Sequence, residues 1–388
     1  MTYKILKINN LSEKGLERFP AGKYELGSEI ASPDAIMLRS QKLHDMEFDD
    51  NLKAVGRAGA GVNNIPVERL SQLGVPVFNA PGANANAVKE LVIGSLFLCE
   101  RNLHHAFSYT NDLTAVGDAL DKQVEDGKKK FVGRELPERT LGVIGLGAIG
   151  VEVANTAALL GMKVIGYDPA ITVASAWKLS SAVEKANSVD DLLSRSEFVT
   201  FHVPLIDATR HMINEQRLHS MRDNSVVLNF ARSGVVDDDA ILKGLNNGKI
   251  KTYITDFPTR ETIEHEGVIT LPHLGASTAE AEENCAIMIA DQLQEFLEHG
   301  NIHNSVNFPQ VELSRKSDHR LAMIHRNVPD MVGQISHQLG KSSVNIEHMI
   351  NESRGDVACT LIDTHLRVDE QTMSAIQGID GLLKARQI

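Results

Sequence analysis

The chain is predicted to be an α/β protein with two doubly wound parallel-sheet domains, one split by insertion of the other, and a small βαββαβ domain at the C-terminus. Three observations predict this. Short apolar runs alternate with helical stretches through most of the chain. A glycine-rich turn, Gly145-Leu146-Gly147-Ala148-Ile149-Gly150, opens a second alternating series in mid-chain, with a domain's length of sequence before it. The last segment reads strand, helix, strand, strand, helix, strand. At 388 residues the chain is also too long for one typical core.

The elements follow in order. Residues 5–8, 35–38, 52–55 and 75–78 read as short buried strands, each ending near polar or Gly-rich residues. Residues 84–130 read as a long helix and then a more polar connection. Six strands follow, at 141–144, 163–167, 198–202, 225–229, 252–255 and 268–271, with helical stretches between most of them. A long amphipathic helix over 280–299 leads to a linker at 301–309. Beyond it, strands at 321–324, 344–350, 357–363 and 382–385 enclose helices at 329–339 and 371–377, which is the ferredoxin-like order. The expected domains are 1–95 with 283–306, then 96–282, then 317–388.

Composition excludes several classes. Lys and Arg number 39 against 51 Asp and Glu, a net charge of −12, which argues against nonspecific nucleic-acid binding. Cys99, Cys285 and Cys359 are far apart and form no disulfide or metal-ligand pattern, so a reducing cytoplasm and no metal are expected. The start, Met1-Thr2-Tyr3-Lys4, does not read as a signal peptide. The strongest apolar run, 91–98, is interrupted by Gly94 and Ser95 and is too short to span a bilayer.

The glycine-rich turn follows a strand and opens a helix. Gly145 permits the tight turn, Gly147 lets backbone approach a pyrophosphate, and Gly150 lets the helix pack on the strand. Asp168 lies 18 residues beyond Gly150, near the roughly 20 expected of the acid that holds a ribose in a Rossmann domain. No Arg or Lys follows it in Pro169-Ala170-Ile171, so NAD is expected over NADP.

Three polar residues sit just past strands of this second series: Arg232, Glu261 and His273. The carboxyl ends of parallel strands line the ligand crevice, so they can converge. Oxidation of an alcohol with NAD needs a proton acceptor, and histidine suits it with an unperturbed pKa of about 6.5. A nearby carboxylate favours the imidazolium, and arginine can hold a carboxylate and polarise a carbonyl.

At these residues the chain resembles the D-isomer-specific 2-hydroxyacid dehydrogenases. The resemblance rests on the fingerprint, on Asn229-Phe230-Ala231-Arg232-Ser233-Gly234-Val235-Val236-Asp237 and on Pro272-His273-Leu274-Gly275-Ala276-Ser277-Thr278. Gly56-Arg57-Ala58-Gly59-Ala60-Gly61-Val62 narrows it to relatives acting on a phosphorylated acid. It implies that His273 is the acid/base, Glu261 its partner and Arg232 the substrate anchor. It implies a cofactor site of Gly145, Gly147, Ala148, Ile149, Gly150, Asp168, His202, Pro204, Thr209, Ala231, Asp256 and Gly275, with Asp256 on the nicotinamide carboxamide. It implies substrate contacts from Arg39, Ser40, Arg57, Ala60, Gly61 and Asn84, in a cleft between the two large domains. The implied reaction is oxidation of 3-phospho-D-glycerate in serine biosynthesis by a homodimer or homotetramer. A glyoxylate or hydroxypyruvate reductase and an NAD-sensing corepressor are the alternatives.

The run His325-Arg326-Asn327-Val328-Pro329-Asp330 and the final βαββαβ order resemble the amino-acid-sensing ACT domains. This implies allosteric control by an L-serine effector near His325, Asn327 and Asn345, between two such domains. Two departures stand out. Ala148 replaces the arginine common in relatives, removing a pyrophosphate contact, and Asp330 replaces their glycine, placing a negative charge where the effector's carboxylate is expected.

Overall fold

The computed structural model describes residues 2–388. It divides into two compact units, Met1–Asn84 with Ala279–Ile388, and Ala85–Thr278. The first unit holds a parallel sheet of β1 (Tyr3–Lys7), β2 (Tyr24–Gly27), β3 (Ala35–Leu38), β4 (Ala54–Arg57) and β5 (Val77–Phe78), in the order β2-β1-β3-β4-β5. Strand β2 was not expected. Tyr-Glu-Leu-Gly is only four residues long and sits at the sheet edge, where only Tyr24 is fully buried, so its brief alternation of Tyr24 and Leu26 does not stand out. The expected strand at 52–55 lies two residues further on. Leu52 is buried, but it precedes the strand in a turn where its N–H donates to the Asp49 carbonyl at 3.0 Å.

The helix Ala279–His299 returns to this sheet. Ile289, Leu293 and Phe296 pack against Ile5, Met37 and Phe78 in one core. Gly56 is needed under the helix, because a Cβ there would fall 2.5 Å from Ile289 Cγ2.

The same unit carries the C-terminal antiparallel sheet, β14-β15-β13-β16, built from β13 (His319–Arg326), β14 (Ile346–Arg354), β15 (Val357–Thr364) and β16 (Leu382–Gln387). Alternation along the strands divides its side chains. Leu321, Met323 and Ile362 cover the helices Met331–Lys341 and Glu370–Gln377. Ala322, Ile324, Cys359 and Leu361 join the core of the five-stranded sheet instead.

The last four carbonyls of a helix have no partner within it. Here arginines of the C-terminal segment take them. Arg386 donates to Phe296 O and to Leu297 O, Arg315 to Glu298 O at 3.3 Å and Arg320 to His299 O at 3.0 Å. Cations also suit the negative end of the helix dipole. Arg320 is in turn paired with Asp363 through two bonds of 2.6 and 3.0 Å.

The second unit holds seven parallel strands: β6 (Thr140–Ile144), β7 (Lys163–Tyr167), β8 (Val183–Lys185), β9 (Phe198–Phe201), β10 (Ser225–Asn229), β11 (Ile250–Thr255) and β12 (Val268–Thr270). Their order, β12-β11-β10-β9-β6-β7-β8, reverses between β6 and β9. Such a reversal opens a crevice at the carboxyl ends of the strands. Strand β8 is a seventh where six were expected. It is a three-residue edge strand with no buried residue, so it carries no hydrophobic signal. Glu100, which ends the helix Ala85–Glu100, is buried and doubly bonded to Arg134 at 2.8 and 3.0 Å, with Lys251 at 3.3 Å.

No described helix is long and apolar enough to cross a membrane.

Candidate active site

The fingerprint turn lies at the end of β6, beside the reversal of strand order. Gly145 has φ of 91°, the left-handed region that favours glycine. A Cβ there would also fall 2.5 Å from His202 O, and one on Gly150 would fall 1.8 Å from Gly145 O. Gly147 differs: a Cβ there would meet nothing within 4 Å. Tight packing thus explains Gly145 and Gly150, while Gly147 leaves space open at the start of the helix Ala148–Leu159, where unpaired N–H groups favour a phosphate. Ala148 is exposed and Ile149 half-buried in that first turn.

Asp168 follows β7. One carboxylate oxygen accepts from Leu146 N at 2.8 Å and the other from Ala170 N at 2.9 Å. The fingerprint therefore fixes the acid, and each oxygen keeps a lone pair for a ribose hydroxyl.

Asp256 follows β11 and is 1 % exposed. Its Oδ2 accepts from Gly275 N at 3.0 Å, while Oδ1 is buried without a partner. Burial pushes this carboxyl up, against the Gly275 bond and the His273 charge. A buried acceptor without a donor fits an amide N–H, such as that of a nicotinamide carboxamide. His202, just past β9, has Nε2 3.1 Å from Thr200 Oγ1 and a buried Nδ1 without a partner. Burial pushes its pKa down to about 3, so the ring is neutral at neutral pH. Pro204 is exposed, and Thr209 closes the turn after it by donating its hydroxyl to Pro204 O. The donors and acceptors present thus fit a dinucleotide.

Arg232, Glu261 and His273 come from the carboxyl ends of β10, β11 and β12, three neighbouring strands. Arg232 is exposed and its Nη1 donates to Ala231 O at 2.6 Å. Asn229 fixes this turn. It is buried, its Nδ2 donates to Arg232 O at 3.1 Å and its Oδ1 accepts from Ala231 N at 3.2 Å. Sequence reasoning gave Asn229 no role, although a buried asparagine ending an apolar strand is the signal that could have assigned one. His273 is exposed, with its ring 4.8 Å from that of Phe257. Glu261, on the short helix Arg260–Ile263, is exposed and makes no hydrogen bond to His273 in this structure. Its charge acts instead on Asp238, whose carboxyl is raised first by burial and then by the neighbouring acids.

The expected substrate residues of the first unit also fall at strand ends. Arg39 follows β3 and Arg57 ends β4, and Arg57 Nε donates to Arg39 O at 3.0 Å. Ser40 N donates to Asn9 Oδ1 at 3.0 Å. Ala60 O accepts from Asn79 Nδ2 at 2.6 Å, and Gly61 is half-buried beside it. Asn84 Oδ1 is buried without a partner.

The three expected effector residues do not converge within one chain. His325 is buried, with Nδ1 2.8 Å from Arg326 O and Nε2 2.8 Å from Thr360 Oγ1. Asn327 Nδ2 donates to Gly355 O at 3.0 Å. Asn345 precedes β14, whose Ile346 pairs with Thr364, whereas His325 pairs with Ala358. The register therefore puts Asn345 at the opposite end of the sheet. Asp330 begins the helix Met331–Lys341 with φ of 62°, a left-handed conformation in which glycine would be unstrained.

Residues 103–275 match the family described as D-isomer specific 2-hydroxyacid dehydrogenase, NAD binding domain. The chain is 35 % identical over 337 residues to a D-3-phosphoglycerate dehydrogenase of Methanocaldococcus jannaschii, across 84 % of this chain and 61 % of that protein. It thus spans about six-tenths of that relative's length. It is 35 % identical over 283 residues to a hydroxypyruvate reductase of Thermotoga maritima, across 70 % of this chain and 87 % of the reductase. It is 30 % identical over 353 residues to a D-3-phosphoglycerate dehydrogenase of Haemophilus influenzae, across 88 % and 82 % of the two chains.

Proposed function

The chain belongs to the D-isomer-specific 2-hydroxyacid dehydrogenases, and from that premise we propose that it oxidises 3-phospho-D-glycerate with NAD to 3-phosphohydroxypyruvate, the first step of serine synthesis. The observation that carries this reading is the breadth of the match: similarity to a phosphoglycerate dehydrogenase runs over 88 % of the chain, against 70 % for the reductase.

NAD, when bound, supplies the hydride acceptor. The chain's residues do the rest. Backbone N–H groups at Gly147, Ala148 and Ile149 hold the pyrophosphate, Asp168 the adenosine ribose and Asp256 Oδ1 the carboxamide. Gly145, Gly150, His202, Pro204, Thr209, Ala231 and Gly275 shape the pocket. Arg232 holds the substrate carboxylate. A nitrogen of the His273 imidazole would take the proton of the hydroxyl on the carbon that is oxidised. Glu261, free to rotate on an exposed helix, swings to pair with the imidazolium once substrate is bound, since catalytic bonds commonly tighten only in the complex. Arg39, Ser40, Arg57, Ala60, Gly61 and Asn84 supply guanidinium groups, backbone donors and amides for the substrate's anionic groups. In this reading the parallel-sheet part of the first unit serves the substrate, the unit Ala85–Thr278 the cofactor, and residues 317–388 regulation.

L-serine is the proposed effector. Because Asn345 lies at the far end of the sheet from His325 and Asn327, a site containing all three takes two chains. Exposed apolar residues, Phe107 and Val124 on weakly buried helices and Val116 in the loop that joins them, support a homo-oligomer.

The direct test is initial-rate NADH formation with 3-phosphoglycerate, set against turnover of hydroxypyruvate and glyoxylate, with and without L-serine. Clear preference for the unphosphorylated acids would replace the proposal with a reductase. Partner-peptide binding without turnover would favour a corepressor. Asp330→Gly is expected to keep stability within about 1 kcal/mol, because relief of the left-handed backbone offsets the added freedom of the unfolded chain. It should tighten L-serine binding severalfold by removing a negative charge. Calorimetric titration showing unchanged or weaker binding would refute the effector placement.

A further inference from the structure

Arg39, a substrate anchor in the reading above, is already paired. Its Nη1 lies 2.6 Å from Glu282 Oε1, and the two side chains are 34 % and 43 % exposed. Glu282 stands in the first turn of the helix Ala279–His299. Arg57 belongs to the same cluster through its bond to Arg39 O. One turn along the helix, Cys285 registers all three charges: burial pushes its thiol up, Arg57 and Arg39 pull it back, and Glu282 adds to the rise. Two cations and one anion of this chain therefore meet at one place within the first unit. Neighbouring Glu283 does not share it, being bonded to Lys14 at 2.6 Å.

We propose that Glu282 is a built-in competitor for the anion site of Arg39 and Arg57: its carboxylate holds Arg39 until an anionic group of the substrate displaces it, which sets how tightly and with what charge preference the enzyme takes its acid. The proposal rests on the reading of Arg39 as a substrate anchor. The partial exposure decides that displacement is easy, because ion pairs at such sites are weak. A dianion such as a phosphate gains most from Arg39 and is most repelled by Glu282, so the carboxylate acts chiefly on phosphorylated ligands. Glu282→Gln isolates the charge, since the amide oxygen still accepts from Arg39.

The test uses the full chain, with inorganic phosphate as dianion probe and acetate as monoanion probe. Each is titrated calorimetrically and as a competitive inhibitor. Glu282→Gln should tighten phosphate by roughly two- to fivefold, the range of an exposed ion pair, and acetate by less. Glu283→Gln removes the same charge one residue away and should change neither. In an Arg39→Ala background the gain should vanish. Unchanged or weaker phosphate binding in Glu282→Gln would overturn the proposal, and so would an equal gain without Arg39. A merely structural role for Glu282 would not raise affinity in proportion to ligand charge. If phosphate tightens but 3-phosphoglycerate is not oxidised, the competitor stands and the substrate reading falls. If 3-phosphoglycerate is oxidised and phosphate does not tighten, the reverse holds.

Discussion

Replacing His273 by alanine is expected to lower turnover by about 10²–10⁴-fold, the usual contribution of a positioned acid/base, and to leave NAD affinity nearly unchanged. The two effects separate because the residues that fit the cofactor are held by other contacts. Asp168 is fixed by Leu146 N and Ala170 N, and Asp256 by Gly275 N. His273 makes a ring contact with Phe257, and its charge bears on Asp256 less than burial and the Gly275 N–H do. A proton moves only in the transition state, so kcat and kcat/KM should fall together. Affinity can be followed through the chain's single tryptophan, Trp177, which is exposed in the segment after Asp168. A loss of NADH affinity equal to the loss of rate would reassign His273 to cofactor binding. A rate within about tenfold of the parent would remove it from the chemistry.

The parts of this site that were legible in the sequence are those whose signal is local. The fingerprint's glycines, the acid at the end of β7 and the three polar residues past β10, β11 and β12 can each be read within a few residues of a strand end, because parallel strands present their carboxyl ends together. What was not legible depends on pairs distant along the chain. Nothing near Arg39 indicates that Glu282 will meet it, and nothing near Arg386 indicates that it will bond to Phe296 O and Leu297 O. Strands β2 and β8 escaped for another reason. Each is an edge strand of three or four residues with few buried side chains, too short for an alternation to betray it. Asn345 was grouped with His325 by resemblance, and only the register of β14 on β15 reveals that one chain keeps them at opposite ends.

Asp363→Ala should destabilise the protein by about 3–5 kcal/mol, the cost of leaving one member of a buried pair uncompensated. Both side chains of the Arg320–Asp363 pair are fully buried, so the guanidinium left behind is out of reach of bulk solvent. The Lys316 N–H would also lose its acceptor. The double variant Arg320→Met, Asp363→Leu should recover much of the loss, because apolar side chains of similar volume remove both charges at once. The pair also predicts a pH window. Burial pushes the Asp363 carboxyl up, but hydrogen bonds from Arg320 and Lys316 N and the Arg320 charge outweigh it and hold the carboxyl below the usual range. A carboxyl with a lowered folded pKa stabilises fully above its unfolded value, near 3.9, and loses that contribution as pH falls through the folded value. The gap between the parent and Asp363→Ala should therefore stay constant from pH 7 to 5 and close only in stronger acid. Denaturant melts across that range check it, and a gap already closing at pH 6 would contradict the assignment. Arg320 also holds His299 O, so its displacement should loosen the end of the helix Ala279–His299 as well as the sheet. Hydrogen exchange that speeds up in β13 and β15 alone, with the helix end unchanged, would show that the arginine cap on that helix does not depend on Asp363.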